Sequence, residues 1–282
     1  MPDQLKIVRT PAALTAAMET WKRAGNKVAF VPTMGALHAG HLALVTEGLR
    51  HADKVAASIF VNPKQFGPTE DLDRYPRDEA GDAAKLAAAG CELLYAPTVA
   101  TMYPPGFASY VRVAALPDLL CGAARPGHFD GVATVVSKLL AAARADVAVF
   151  GEKDWQQLAI IRRMAVDLDL GTVIVGCHIV RDDDSLALSS RNLYLTPDER
   201  RRAVALPQAL IRAREALQAG GDVAPALAAA ERRIAAAGFA RIDYCELVDG
   251  ERLTPLRAVT PGARIMAAAV MGTTRLIDNL AV

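Results

Sequence analysis

Between residues 27 and 176 short apolar runs alternate with helical patterns, and this alternation commits that part of the chain to a parallel sheet covered by helices. Strands are predicted over 27–31, 54–61, 92–95, 146–150 and 172–176, and helices over 41–50, 78–89, 131–143 and 154–168. The strand segments are continuously apolar rather than alternating, as strands buried on both faces are. A short ribbon over 109–113 reads as an inserted pair of strands. Ligands of such sheets bind beyond the carboxyl ends of the strands, where the strand order reverses. Polar motifs follow the strand segments ending near 31, 61 and 150, so they are expected to meet in one cleft.

The first motif is Pro32-Thr33-Met34-Gly35-Ala36-Leu37-His38-Ala39-Gly40-His41, between the run Val28-Ala29-Phe30-Val31 and a helix. A helix start presents backbone N–H groups and a partial positive charge. Gly35 and Gly40 admit an anion to the backbone, and His38 and His41 add imidazole donors. The pattern is that of an anion site, with a simple turn at a polar surface as the alternative. The second motif, Asn62-Pro63-Lys64-Gln65-Phe66-Gly67, offers carboxamides suited to hydroxyls and carboxylates, or forms an ordinary turn.

The third, Gly151-Glu152-Lys153-Asp154-Trp155-Gln156-Gln157, leaves an apolar strand for a helix. A lysine aimed into a cleft there would neutralise charge growing on a phosphoryl oxygen; the alternative is solvated surface. Farther on, Leu188-Ser189-Ser190-Arg191-Asn192 joins hydroxyls to a guanidinium behind Arg181-Asp182-Asp183-Asp184. The acidic segment reads as mobile, which would let the loop over 188–192 close over a polyphosphate, while a helix cap before Thr196-Pro197 accounts for some of the same residues. Tyr75-Pro76-Arg77 and Arg125-Pro126-Gly127-His128-Phe129-Asp130-Gly131 each lead into a helix, with Asp130 the expected N-cap of the second.

Beyond residue 179 the pattern changes to helical segments over 197–219 and 223–237, followed by strands over 241–248, 263–271 and 274–280. That is the order of a small α+β domain. For 282 residues, at about 150 per domain, the change of character divides the chain into domains of 1–179 and 180–282. Lys+Arg 32 against Asp+Glu 31 leaves a net charge of +1, so neither nucleic acid nor an anionic membrane is expected as a partner. The most apolar long stretch, 132–150, carries Lys138, Arg144 and Asp146 and is not expected to span a bilayer. The opening Met1-Pro2-Asp3-Gln4-Leu5-Lys6 lacks a basic segment followed by an apolar one, which sets the expectation of a cytoplasmic protein. Cys91, Cys121, Cys177 and Cys245 are scattered without a Cys-x-x-Cys pair, and are expected as reduced thiols packed like small hydrophobes. His51 at a helix end and His178 in an apolar strand context are expected to be structural.

Taken together these stretches resemble the pantothenate synthetase (pantoate:beta-alanine ligase) family, in the right order and over nearly the whole chain. They are PTMGALHAGH, IFVNPKQFG, YPR, LLCGAARPGHFDGV, FGEKDWQQ, IVRDDDSLALSSRN and TRLIDNL. An HxGH element alone is shared by nucleotidyltransferases and the first class of aminoacyl-tRNA synthetases; NPKQF and GEKDWQQ are far more specific. Ala39 stands where the family often has an acid and Leu188 where methionine is common, and neither change removes a reacting group. The fold class implied is α/β: a Rossmann-like nucleotidyltransferase (HxGH) domain with a parallel sheet, followed by a small α+β C-terminal lid domain.

The resemblance implies a ligation in which pantoate attacks the α-phosphate of ATP, with Mg2+ present, to give pantoyl adenylate and pyrophosphate. The amine of beta-alanine then displaces AMP. By motif position it assigns ATP binding to Met34, Gly35, Ala36, Leu37, His38, Ala39, Gly40, His41, Gly151, Glu152, Lys153, Asp154, Val180, Leu188, Ser189, Ser190 and Arg191. His41, His38 and Lys153 are its catalytic residues. Gln65 and Gln157 would orient pantoate, with Gln65 also near beta-alanine; Asn62 and Tyr75 are further candidates. Mg2+ is expected on phosphate oxygens and waters with no protein ligand, and the family implies a homodimer. A nucleotidyltransferase would need an extra cationic site for a phosphorylated acceptor, and a regulatory ATP-binding module would bind without turnover. A tRNA synthetase would need a basic surface and an anticodon-reading extension, and neither is visible.

Overall fold

The computed structural model describes residues 5–68 and 70–282; the opening Met1 to Gln4 lies outside the described residues. Two compact units are present. One comprises the chain up to Ala114, Arg125–Glu152 and Ile160–His178, the other Ala115–Ala124, Lys153–Ala159 and Ile179–Val282. In chain order the elements are β1 Lys6–Val8, α1 Pro11–Arg23, β2 Val28–Thr33, α2 Ala39–His51, β3 Lys54–Ile59, α3 Glu79–Ala88, β4 Leu93–Tyr95, α4 Val99–Met102, α5 Leu120–Ala124, α6 His128–Ala143, β5 Val147–Gly151, α7 Trp155–Asp167 and β6 Val173–Cys177. They continue with α8 Pro197–Ala203, α9 Ala205–Gln218, α10 Val223–Ala236, β7 Arg241–Asp249, β8 Ala263–Met271 and β9 Thr274–Ala281.

In the first unit β1 to β6 form one sheet in the order β1-β4-β3-β2-β5-β6, with every neighbouring pair parallel. The continuous apolar strands behave as predicted. Ala29 and Val31, Val55 and Ala57, and Val147 and Val149 pack on one face with Leu44 and Val45 of α2 and Leu86 of α3. The alternate residues Val28, Phe30, Ala56 and Ala148 are equally buried, because successive strand residues point to opposite faces and both faces are covered. From β2 the sheet extends through β3 and β4 to β1 on one side, and through β5 and β6 on the other. The order therefore reverses between β2 and β5, and the segments that leave their carboxyl ends begin with Met34 and Glu152.

Some local expectations change. Residues 109–113 form no strand, because the Val111 N–H is given to Thr134 Oγ1 at 2.9 Å rather than to a strand partner. Helix α6 starts at His128 on Gly127, whose φ of 81° suits glycine. Asp130 therefore falls inside the first turn, where its charge complements the helix dipole rather than capping it. His178 lies one residue past β6 with its side chain 96% exposed and Nδ1 3.4 Å from Glu152 Oε2, so an apolar neighbourhood in sequence did not mean burial. His51 pairs with Glu47 at 2.9 Å near the end of α2. The four cysteines are free and buried, and burial pushes the Cys91 and Cys245 thiols up to about 12. No helix among the described residues is long and apolar enough to cross a membrane.

The second unit holds the antiparallel sheet β7-β8-β9, with Cys245, Leu247, Ile265, Ala267, Ala269 and Leu276 of its strands packed on Leu206, Leu210, Ala230 and Ile234 of the helices. Where one helix was predicted over 197–219 there are two, broken at Val204. Pro207 has no N–H to return to the carbonyl of Ala203, which is where α8 stops. Thr196 and Glu199 close a capping box at the start of α8, as the Thr196-Pro197 pair suggested.

Candidate active site

Within the first unit the turn after β2 is built tightly. Gly35 has φ 86°, and a Cβ there would meet Ile59 Cγ2 at 3.1 Å and Asp82 Oδ2 at 3.2 Å; Ala36 follows with φ 52°. Asp82 of α3, 1% exposed, accepts the Leu37 N–H at 2.9 Å, and Lys85 Nζ reaches the Leu37 carbonyl at 3.0 Å. Sequence reasoning did not single out Asp82, since its partner is 45 positions away in the chain.

His38 then caps α2, and its Nδ1 accepts the Gly40 N–H at 3.2 Å. The Nδ1 of His41 accepts the His38 N–H at 3.4 Å, completing a capping box made of imidazoles. An accepting Nδ1 carries no proton, so in each neutral ring the proton sits on Nε2. The rings lie 4.1 Å apart between centroids, tilted 45° to one another. The expectation that backbone N–H groups of the helix start would serve the anion is thereby modified: the imidazoles take up the N–H groups of residues 38 and 40.

After β3, Asn62 is 1% exposed and all its hydrogen-bonding capacity is engaged. Its Oδ1 accepts Tyr103 OH at 2.7 Å and Lys64 N at 3.2 Å; its Nδ2 donates to Gln65 Oε1 at 3.0 Å and to the Gly131 carbonyl at 3.1 Å. Asn62 therefore holds Gln65 and is saturated within the protein. Gln65 Nε2 is 3.0 Å from Met34 Sδ, which brings the first and second motifs together. The 62–67 loop lies flush on α6, since a Cβ on Gly131 would fall 2.2 Å from the Lys64 carbonyl oxygen.

The segment over 125–128 braces the same loop. Arg125 donates to Glu70 through Nε and Nη2, at 2.6 Å each, and to His128 Nε2 at 2.9 Å; His128 Nδ1–H donates to the Gln65 carbonyl at 2.7 Å. Burial pushes the Glu70 carboxyl up, but the Arg125 guanidinium outweighs it and holds the group at about 2. Tyr75 is buried, edge-on to Phe66 at 5.9 Å between centroids. Gly151 ends β5 and Glu152 follows.

In the second unit Lys153 stands in the short turn Glu152–Asp154 that feeds α7, with Nζ 4.0 Å from Asp154 Oδ2. Of the amide pair, Gln156 is the inward member: 2% exposed, it accepts Cys121 N at 2.9 Å and donates to the carbonyls of Leu116 and Leu119 at 2.9 and 2.7 Å. Gln157 is half-buried. Val180 and Leu188 pair across a hairpin, Leu188 N to Val180 O at 3.0 Å, and Ser189 caps the turn Ser190–Tyr194. The acidic run in this hairpin is tied rather than loose. Arg200 engages Asp182 at 2.8 Å and Asp184 at 2.7 Å, and Arg181 forms a two-pronged pair with Asp278 at 2.7 and 2.8 Å.

A parallel sheet whose reversal point opens onto a paired-histidine helix start defines the class, a Rossmann-like α/β fold carrying the HxGH element. The family profile for pantoate-beta-alanine ligase matches residues 6–281. A pantothenate synthetase from Sphingopyxis alaskensis is 56% identical over 278 residues, 99% of this chain and 100% of that protein. The crystal structure of pantothenate synthetase from Thermus thermophilus is 49% identical with a TM-score of 0.93, covering 98% of this chain and 99% of that one. A pantoate-beta-alanine ligase from Francisella tularensis, solved with beta-gamma ATP and beta-alanine, is 30% identical with a TM-score of 0.83, covering 98% and 97%. This chain belongs to the pantoate-beta-alanine ligase family.

Proposed function

We propose that this protein joins pantoate to beta-alanine at the expense of ATP, giving pantothenate, AMP and pyrophosphate, and that it does so through a pantoyl adenylate. The family match supports the overall reaction. The observation that carries the two-step chemistry is the placement of His38 and His41 together in the capping box at the start of α2, beyond the sheet's reversal point. A carboxylate is a poor acylating agent until one oxygen becomes part of a good leaving group. In the first step a pantoate carboxylate oxygen attacks the α-phosphorus, the bond from that phosphorus to the bridging oxygen breaks, and pyrophosphate leaves. His38 and His41 hydrogen-bond phosphate oxygens, with His41 able to supply a proton to the departing group. The Lys153 ammonium neutralises charge between the phosphate and the attacking carboxylate. In the second step the beta-alanine nitrogen attacks the acyl carbon, AMP departs and the nitrogen releases its proton.

The remaining assignments follow the motifs. Met34 to His41, Gly151 to Asp154, Val180 and Leu188 to Arg191 contact ATP; Gln65 and Gln157 orient pantoate, and Gln65 also faces beta-alanine. Asn62 acts through Gln65, because its own donors and acceptors are engaged. Among the described residues no group of three or more His, Cys, Asp or Glu converges as a metal site. By the family resemblance Mg2+ would sit on ATP oxygens and water. A homodimer, a cytoplasmic location and the division into a catalytic and a lid domain near residue 179 complete the proposal. Pyrophosphate release with ATP and pantoate alone tests it. Release without beta-alanine, coupled to exchange of labelled pyrophosphate into ATP, is expected; strict dependence of both on beta-alanine overturns the adenylate.

A further inference from the structure

The last strand contributes neighbouring buried polar residues, Asp278 (3% exposed) and Asn279 (1% exposed), that the reaction chemistry leaves unused. Asn279 Nδ2 donates to the main-chain carbonyl of Lys153 at 3.0 Å. Its Oδ1 accepts Nε of Arg264 at 3.0 Å, and the Arg264 guanidinium lies over the Trp155 ring at 3.5 Å. Trp155 Nε1 is in turn bound to the Gly250 carbonyl at 2.7 Å. The turn carrying Lys153 is therefore pinned at its carbonyl and again two residues on. Asp278 takes both nitrogens of Arg181, whose Nη1 also donates to Ser185 O at 2.9 Å across the turn of the hairpin. The same hairpin pairs Val180 with Leu188.

We propose that Asn279 and Asp278 are positioning residues: Asn279 sets the Lys153 turn, and Asp278 sets the hairpin that presents Val180 and Leu188. This rests on the role assigned above to Lys153. A tether at the Lys153 carbonyl fixes the point from which its flexible side chain departs, and a displacement of about 1 Å in such a group costs up to about 100-fold in rate. Burial of a polar pair for stability alone would have no reason to act on adenylation more than on folding.

The discriminating variant is Asn279→Asp, which keeps an acceptor for Arg264 and replaces the donor facing the Lys153 carbonyl with an acceptor. The full-length protein is compared with Asn279→Asp, Asp278→Asn and Lys153→Ala. Measurements are pantoate-dependent pyrophosphate–ATP exchange, thermal midpoint, and hydrogen exchange of peptides covering 152–158, 179–188 and 241–249. Asn279→Asp is expected to lower the exchange kcat by about 10- to 100-fold with a smaller change in KM for ATP. It should also speed hydrogen exchange in 152–158 and leave 241–249 unchanged. Asp278→Asn is expected to raise KM for ATP and loosen 179–188 while largely keeping kcat. A kcat within about twofold of the parent for Asn279→Asp, while Lys153→Ala is impaired, overturns the tether alone. Loosening of 241–249 together with 152–158 also overturns it, in favour of a general structural role. An unimpaired Lys153→Ala overturns both the tether and the role of Lys153.

Discussion

Replacing Asn62 with alanine removes a carboxamide that makes four hydrogen bonds from a site 1% exposed. At about 0.5–1.5 kcal/mol net for each bond, the loss amounts to about 2–6 kcal/mol. Part is recovered, because the Gly131 carbonyl also has an intrahelical donor in α6 and because the vacated polar space can admit a water. The expected destabilisation of the first unit is about 2–4 kcal/mol, with a rise in KM for pantoate as Gln65 loses the partner of its Oε1. Urea titration measures it best through Trp21, which lies in α1, with Trp155→Phe as the common background so that one indole reports. Asn62→Asp adds a sign test. It sets a carboxylate oxygen against Gln65 Oε1 and the Gly131 carbonyl, which favours the protonated form and raises the folded-state pKa. Relative to the parent, that variant should be least impaired at low pH and lose stability as pH rises through the raised pKa. A destabilisation below about 1 kcal/mol in Asn62→Ala, with KM for pantoate unchanged, refutes the view that Asn62 holds the Gln65 loop.

Three further outcomes are expected. Lys153→Ala slows pantoate-dependent pyrophosphate exchange by about 100-fold or more; near-normal exchange is incompatible with charge neutralisation by Lys153. His41→Ala lowers the adenylation rate more than it weakens pantoate binding, whereas equal losses reduce His41 to a binding contact. Glu70, held at about 2 by Arg125 against an ordinary value of 4.5, contributes stability above about pH 4.5 that is lost as pH falls towards 2. Arg125→Met removes that contribution, so at neutral pH it should be less stable than the parent by a margin that shrinks below pH 4.5; a margin that does not change with pH contradicts the ion pair's role.

Much of the molecule was legible before any coordinates. The buried strands announced themselves as continuous apolar runs, the HxGH and GEKDWQQ stretches fell after strands, and the five strands predicted for the first sheet appear within two residues at each end. The errors have local physical causes. Pro207 interrupts a helix that composition alone extends, and Thr134 captures the Val111 N–H that a ribbon would have needed. The acidic run after Arg181 reads as loose only while its partners, Arg200 and, for Arg181 itself, Asp278, are far away along the chain.

Sequence alone determined the fold class, the family and the residue types that stand in its motifs, because hydrophobic period and motif spacing are local properties of the chain. Only the tertiary structure decided which polar residues hold others in place. Asn62 is a further candidate in sequence, yet it spends its side-chain donors and acceptors inside the protein, and the carboxamides of Gln156 and Asn279 are likewise bonded within it. The physical reason is that a buried carboxamide must be satisfied by groups brought to it from distant positions, and those partners exist only once the chain has folded.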